Sequence, residues 1–362
     1  MDRCRRRLRI GQLVIAEVAL VGVVVASVGP GWLLLGVAAA ATAVFVATFG
    51  RSGGRWWYEA VASHQRFARR RRRAAADVVA ATLAARTPSA LVWLRTLAPE
   101  LTMRPVICAA TVVGVGADGT GWFGALAVEP SAPGLAEVAT LIEAGGDRVA
   151  LSHAQVVRRG PRTWVALRLS PVDAVEAERS GGLAGVEAGV AAGVVRGVRL
   201  LRNHGYEAVA LDPDGLLAAL VAANGLDAAP QEHWSAWRSG TLAHTTYAAS
   251  AWPPEPLLAA PGMWAATASF ARAAADGEAG VGGILIRVAA EPDALGRACR
   301  EVARQAARTG VRLRRLDGDQ APAAYACGPS GMPADGLGAG HVHLPRGRYA
   351  SVRSLGSVPR DR

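Results

Sequence analysis

The chain has 362 residues, is 51% apolar and carries a formal charge of +11, with arginine in place of lysine throughout. The charge is local: residues 1–73 hold thirteen arginines against Asp2, Glu17 and Glu59, whereas residues 74–362 hold 27 basic and 26 acidic side chains. A nucleic-acid-binding role for the larger part is excluded, because neutralising phosphates needs a surplus of cations on the folded face.

Inside the basic region lie two apolar runs, IGQLVIAEVALVGVVVASVG at 10–29 and WLLLGVAAAATAVFVATF at 32–49. The second, as a helix, is about 27 Å long, near the roughly 30 Å hydrocarbon core of a bilayer. Both are predicted membrane spans, joined by Gly29, Pro30 and Gly31 into a tight helical hairpin within residues 1–52. Arg3, Arg5, Arg6, Arg7 and Arg9 precede the first run, Arg51 and Arg55 follow the second, and the turn is uncharged. The positive-inside rule then predicts a multi-pass inner-membrane protein with both termini in the cytoplasm. A cleaved signal peptide fits less well, since the second apolar run ends in arginines as a stop-transfer segment does. Glu17, costly to bury in lipid, either meets a protein partner or snorkels to the interface.

Residues 50–73 read GRSGGRWWYEAVASHQRFARRRRR. Behind an apolar hairpin, Trp56, Trp57 and Tyr58 are expected as interfacial anchors. Arg66, Arg69, Arg70, Arg71, Arg72 and Arg73 are expected to face anionic lipid headgroups. Residues 53–102 thus form a basic juxtamembrane segment and an alanine-rich linker.

From 103 to 350 the pattern predicts a cytoplasmic α/β domain, followed by a tail at 351–362. Two β-rich runs flank GADGTG, a hairpin signal, and RTWVALRLSP gives a third strand. A long Ala/Gly/Val helix ends before Gly205, and YEAVALDPDGLLAALVAANG reads as strand into helix. The later chain repeats the plan: VALRLSPVDA resembles LIRVAAEPDA, and HGYEAVALDPDGLLAAL resembles TGVRLRRLDGDQAPAAY. A duplicated β-β-α-β unit, with halves at about 103–252 and 262–350, is the simplest account.

Three patterns invite a chemical reading. Gly114, Gly116 and Gly119 spell GxGxxG, but a strand follows where a dinucleotide site needs a helix, so a hairpin turn is expected. Asp212 and Asp214, echoed by Asp317 and Asp319, could hold a divalent cation; Asp212 before Pro213 is equally the pattern of a helix N-cap, which is preferred. In EHWSAWRSGTLAHTTYAASAW, His233, Trp234, Trp237, His244 and Tyr247 cluster. Trp234 and Trp237, three apart, are expected on one helical face, packed on the sheet or meeting a partner protein. Cys4, Cys108, Cys299 and Cys327 have no zinc-like spacing and are expected as small buried residues, the remote alternative being that His341 and His343 join Cys327 at a metal. No nucleophile motif is present, and no catalytic, cofactor or metal residue is assigned.

Taken in order, RLRIGQLV, the double apolar run, GRWWYEAVASHQRFARRRRR, RTWVALRLSP, ALDPDGLLAAL and HWSAWRSGTLAHTTYAASAWP resemble the EccE family of the type VII (ESX) secretion system of actinobacteria. The resemblance implies a membrane subunit that works beside EccB, EccC and EccD components, EccC being the motor ATPase, and brings no catalytic residues with it. The chain lacks a Walker P-loop and so is not that motor. The expected function is a non-enzymatic membrane-anchored scaffold that docks its cytoplasmic domain on other secretion subunits, with Glu17, Trp234 and Trp237 as candidate partner contacts. The alternative is a membrane-tethered transferase with a divalent metal at Asp212 and Asp214.

Overall fold

The computed structural model describes residues 10–28, 30–52, 55–83, 89–129, 132–143, 151–226, 228–272, 279–334 and 337. Cys4, His341, His343, the arginines before residue 10 and the tail at 351–362 lie outside them. The chain divides into two units, Met1–Arg73 and Ala74–Arg362.

In the first unit the apolar runs form helix α1 (Ile10–Ala26) and helix α2 (Gly31–Phe49). Pro30, with φ −57° and ψ 142°, sets the extended entry to α2. The two helices pack on each other, with Gly22 facing Val37: a Cβ at Gly22 would sit 3.8 Å from the valine methyl. Among the described residues no helix is long and apolar enough to cross a membrane, so the two predicted spans are not supported as such. At 17 and 19 residues the helices measure about 26 and 28 Å, and α1 also carries Gln12 and Glu17. The helical hairpin itself is present. Beyond it, β1 (Arg51–Ser52) pairs antiparallel with β2 (Arg55–Trp56). Helix α3 (Trp57–Leu83) then runs through the arginines where a linker was expected.

The second unit begins with α4 (Ser89–Leu97) and continues with β3 (Thr102–Cys108), β4 (Thr111–Asp118), β5 (Gly121–Glu129), α5 (Leu135–Glu143), β6 (His153–Arg159), β7 (Arg162–Leu169), α6 (Pro171–Asn203), β8 (Glu207–Ala210) and α7 (Pro213–Asn224). There follow β9 (Gln231–Glu232), β10 (Trp237–Ser239), β11 (Leu242–Ala249), α8 (Glu255–Leu258), β12 (Met263–Arg272), β13 (Ala279–Ala290), α9 (Pro292–Arg308), β14 (Leu313–Arg315) and α10 (Gln320–Ala326). Strands β3 to β14 join one sheet in the order β3-β4-β5-β7-β6-β12-β13-β11-β10-β9, with β8 added on β5 and β14 on β11. Each of these pairings is antiparallel.

The order reads alike from its centre outward. Strands β6 and β12 pair at the middle, and the succession β6-β7-α6-β8-α7 recurs as β12-β13-α9-β14-α10. Side chains alternate along a strand, so each strand divides its residues between two layers of helix. Leu126, Val156, Val165, Leu167, Ile284 and Ile286 enter one core with α5, α6, α8 and α9, whereas Phe123, Ala125 and Ala166 pack with Leu94 of α4, Leu216 and Leu220 of α7 and Tyr325 of α10.

The GxGxxG glycines serve packing. The turn from Asp118 to Gly121 closes the β4–β5 hairpin. A Cβ at Gly114 would lie 2.6 Å from the Asp212 carbonyl oxygen, and one at Gly116 would lie 2.5 Å from the Phe123 ring. Gly114 N–H donates to Leu211 O at 2.8 Å and Leu211 N–H to Ala125 O at 3.0 Å, which fixes the start of α7 against the sheet. The shared helical face expected for Trp234 and Trp237 is corrected. Trp237 lies in β10 opposite His244 of β11, and Gly240, with φ +58°, turns the chain between the two strands.

Candidate functional site

On the layer that faces α7 and α10, the central strands present polar side chains where a sheet core is ordinarily apolar. Gln155 of β6, Arg168 of β7, Thr267 and Ser269 of β12, Arg287 of β13 and Thr246 and His244 of β11 are each at most 1% exposed. Buried polar groups need partners, and the C-terminal ends of α7 and α10 supply most of them. Gln155 Nε2 donates to Ala326 O at 2.6 Å while its Oε1 accepts from Gly331 N–H at 2.9 Å. Thr267 Oγ1 donates to Cys327 O at 3.2 Å.

Two arginines anchor this seam. The Arg168 guanidinium is ion-paired with Asp118 and donates to Ser330 O at 2.8 Å, beyond the end of α10. Tyr325 of α10 adds a hydrogen bond from its hydroxyl to Asp118 Oδ2 at 2.9 Å. Burial alone would raise the Asp118 carboxyl, but the Arg168 charge and hydrogen bonds from Arg168 and Thr120 outweigh it and hold the group below the ordinary carboxylate value.

Arg287 has no carboxylate partner among the described residues. Its Nη1 donates to Ala223 O at 3.2 Å and its Nη2 to Asn224 O at 2.6 Å, the last carbonyls of α7. A helix C-terminus carries partial negative charge and so suits a cation. Burial lowers the Arg287 pKa to about 10, which leaves it charged at neutral pH. Arg159 of β6 donates to Ala222 O at 2.5 Å, its guanidinium carbon 3.9 Å from the centre of the Trp264 ring. Trp264 Nε1 in turn donates to Ala223 O at 3.0 Å. Gly225, at φ +63°, ends the helix where a Cβ would press on Trp264 and His244 at 3.1 and 3.2 Å.

His244 packs edge-on to Trp264, ring centres 5.0 Å apart. Neither ring nitrogen has a hydrogen-bond partner among the described residues. Burial, then the charges of Arg287 and Arg159, push its pKa down to about 2, so the imidazole is neutral. The seam therefore directs its cations at carbonyls and one carboxylate inside the fold, an arrangement that positions backbone.

The residues singled out in the sequence are dispersed. Asp212 is the N-cap of α7, accepting from Gly215 N–H at 2.7 Å with Pro213 in the first turn. Asp319 stands at the N-cap of α10 without a side-chain capping bond, and Asp317 pairs with Arg315 at 2.6 Å. Among the described residues no group of three or more His, Cys, Asp or Glu is placed to hold a metal. Trp237 is 2% exposed and belongs to the core with Leu226 and Tyr325, so it offers no surface to a partner. Trp234 is half-buried and lies against Gly318, where a Cβ would come within 2.4 Å of its ring. In the first unit Glu17 is exposed on α1, Trp56 ends β2 and Tyr58 lies in the first turn of α3. Trp57 is 46% exposed. Arg66, Arg69, Arg71, Arg72 and Arg73 are exposed along α3, with Arg70 half-buried.

The motifs of the sequence leave out Arg168, Arg287 and Gln155, and place His244 only in an aromatic cluster. A usable signal was there: WVALRLS and ILIRVAA each hold one arginine inside an otherwise apolar strand, which demands a buried partner.

Residues 158–249, from β6 to β11, match the family model described as "Putative type VII ESX secretion system translocon, EccE", which supports the EccE resemblance. No curated protein matches the chain.

Two predictions follow from this geometry. Below the ordinary histidine pKa of 6.5 the unfolded chain takes up a proton that buried His244 refuses. Stability contributed by the neutral ring is thus full above pH 6.5 and lost as pH falls, by up to about 1.4 kcal/mol per pH unit. Thermal unfolding of the full chain in mild detergent should show a drop in Tm from pH 7 to 5.5 that is smaller in His244→Phe. Asp118, with its depressed carboxyl, acts only at lower pH. For the cap, Asp212→Asn should be nearly neutral and Asp212→Ala should cost about 1 kcal/mol, with no rise in Tm on adding Mn²⁺ to the parent; a manganese-dependent rise lost in the Asn variant would favour a metal site.

Proposed function

We propose that the chain is a non-catalytic, membrane-anchored scaffold subunit of a type VII (ESX) secretion complex. The match of residues 158–249 to a family of type VII secretion components is the observation that carries this reading. Its sheet unit would dock on subunits of the EccB, EccC and EccD type. The mirrored strand order supports treating that unit as a duplicated β-β-α-β element.

The hairpin supplies the anchor in this account. Val18 (66%), Leu20 (66%), Val25 (68%) and Leu35 (74%) are exposed on α1 and α2, and large apolar side chains exposed in such number belong in lipid or against protein. The hairpin would enter the inner membrane from the cytoplasmic side and return to it, so that both termini stay in the cytoplasm. Trp56, Trp57 and Tyr58 would lie at the headgroups, and the α3 arginines would meet anionic lipid at about 1 kcal/mol each. Five successive arginines on a helix point to all sides of it, as suits a segment immersed in the headgroup layer rather than laid on it.

The test is affinity capture of the full chain through a tag after Arg362, from membranes solubilised in mild detergent. Other type VII membrane subunits should be recovered with it in constant ratio. Recovery of the chain alone from cells that contain those subunits would overturn the proposal.

A further inference from the structure

We propose that helix α9 and the turn before β12 form a docking groove for an acidic helix of a partner protein. The scaffold reading supplies the setting for this proposal, and the groove supplies the chemistry. The groove has a volume of about 510 Å³. Its lining combines the small residues Gly262, Ala290, Ala294 and Ala298 with Arg297, Arg300 and Arg304 and a single acid, Glu301.

The basic part of the lining continues along α9 as a ladder of cations. Arg297, Arg300, Arg304 and Arg308 follow one another at three- and four-residue spacing and are all exposed, so they lie along one side of α9 with axial steps of about 4.5 to 6 Å. Arg304 is ion-paired with Glu301. Arg297 and Arg300 have no ion-pair partner among the described residues, although residues 74–362 as a whole are nearly balanced in charge. Guanidinium forks pair bidentately with carboxylates, and glutamates at helical spacing repeat at the same steps as this ladder.

The small residues of the lining admit a helix. At Gly262, φ is +85° and a Cβ would lie 2.8 Å from that of Ala298, so the turn presses directly on α9 and leaves a shallow trough. The distance between packed helices is set by the side chains at their contact, and alanine and glycine permit a close one. A flat bilayer surface cannot fill a concave site of this kind. Nor does the chain's own end complement it, since residues 338–362 carry five arginines and one aspartate.

The probe is a fluorescein-labelled, alanine-rich helical peptide with glutamates at every third or fourth position, compared with its lysine counterpart by fluorescence anisotropy on the full chain in mild detergent. The glutamate peptide should bind, more weakly as salt rises, and the lysine peptide should not. Arg297→Gln combined with Arg300→Gln should weaken binding about tenfold or more, the scale of two charge-assisted contacts. Ala294→Phe, which fills the trough and keeps every charge, should weaken it comparably. Parent-like binding by both variants would overturn the proposal. So would capture of phosphatidylglycerol vesicles in place of the peptide, or self-association of the chain, if the Gln variant abolishes it. Failure of the scaffold reading shows separately, as loss of the secretion subunits from the affinity capture while peptide binding persists.

Discussion

Two arginines buried in one sheet each hold a segment that belongs to the opposite side of the sheet's centre. Arg287 comes from β13, yet it grips the last carbonyls of α7, which follows β8. Arg168 comes from β7, yet it reaches Ser330, beyond α10. A desolvated guanidinium left without acceptors would be strongly destabilising, so α7 cannot leave without stranding Arg287, a charge that originates across the β6–β12 seam. Arg168 also has Asp118 for compensation; among the described residues Arg287 has only helix-end carbonyls, and the position of α7 depends on it correspondingly more.

This crossing gives the unit the mechanical character of a single block. Several of its central polar groups are committed inside the fold, with Gln155, Thr267 and Tyr325 tying α10 and the following turn to three strands. What the block offers to other molecules is therefore on its surface. On the sheet unit the arginine ladder of α9 is one such surface; the exposed arginines of α3 belong to the first unit.

Much of this was legible in the sequence. The hairpin turn at GADGTG, the long helix before Gly205 and the Asp212–Pro213 cap each rest on local rules, and local rules survived folding. The recurrence of VALRLSP as LIRVAAEP carried the element order of both sides. Where the reading failed, a non-local partner decided. Trp234 and Trp237 have helical spacing, but pairing of Trp237 with His244 and burial against Tyr325 put them into a strand and its turn. The two apolar runs were read to their full extent, whereas α1 stops at Ala26. The two arginines were marked by their place inside apolar strands, but their partners were not, because apart from Asp118 these are backbone carbonyls, which any sequence supplies.

Hydrogen exchange of the full chain in mild detergent, compared between the parent and Arg287→Met, tests the crossing most directly. If Arg287 holds α7 from across the sheet, protection should fall in residues 213–224 as well as in 284–290. Wild-type protection of α7, with loss confined to β13 and its neighbouring strands, would contradict it.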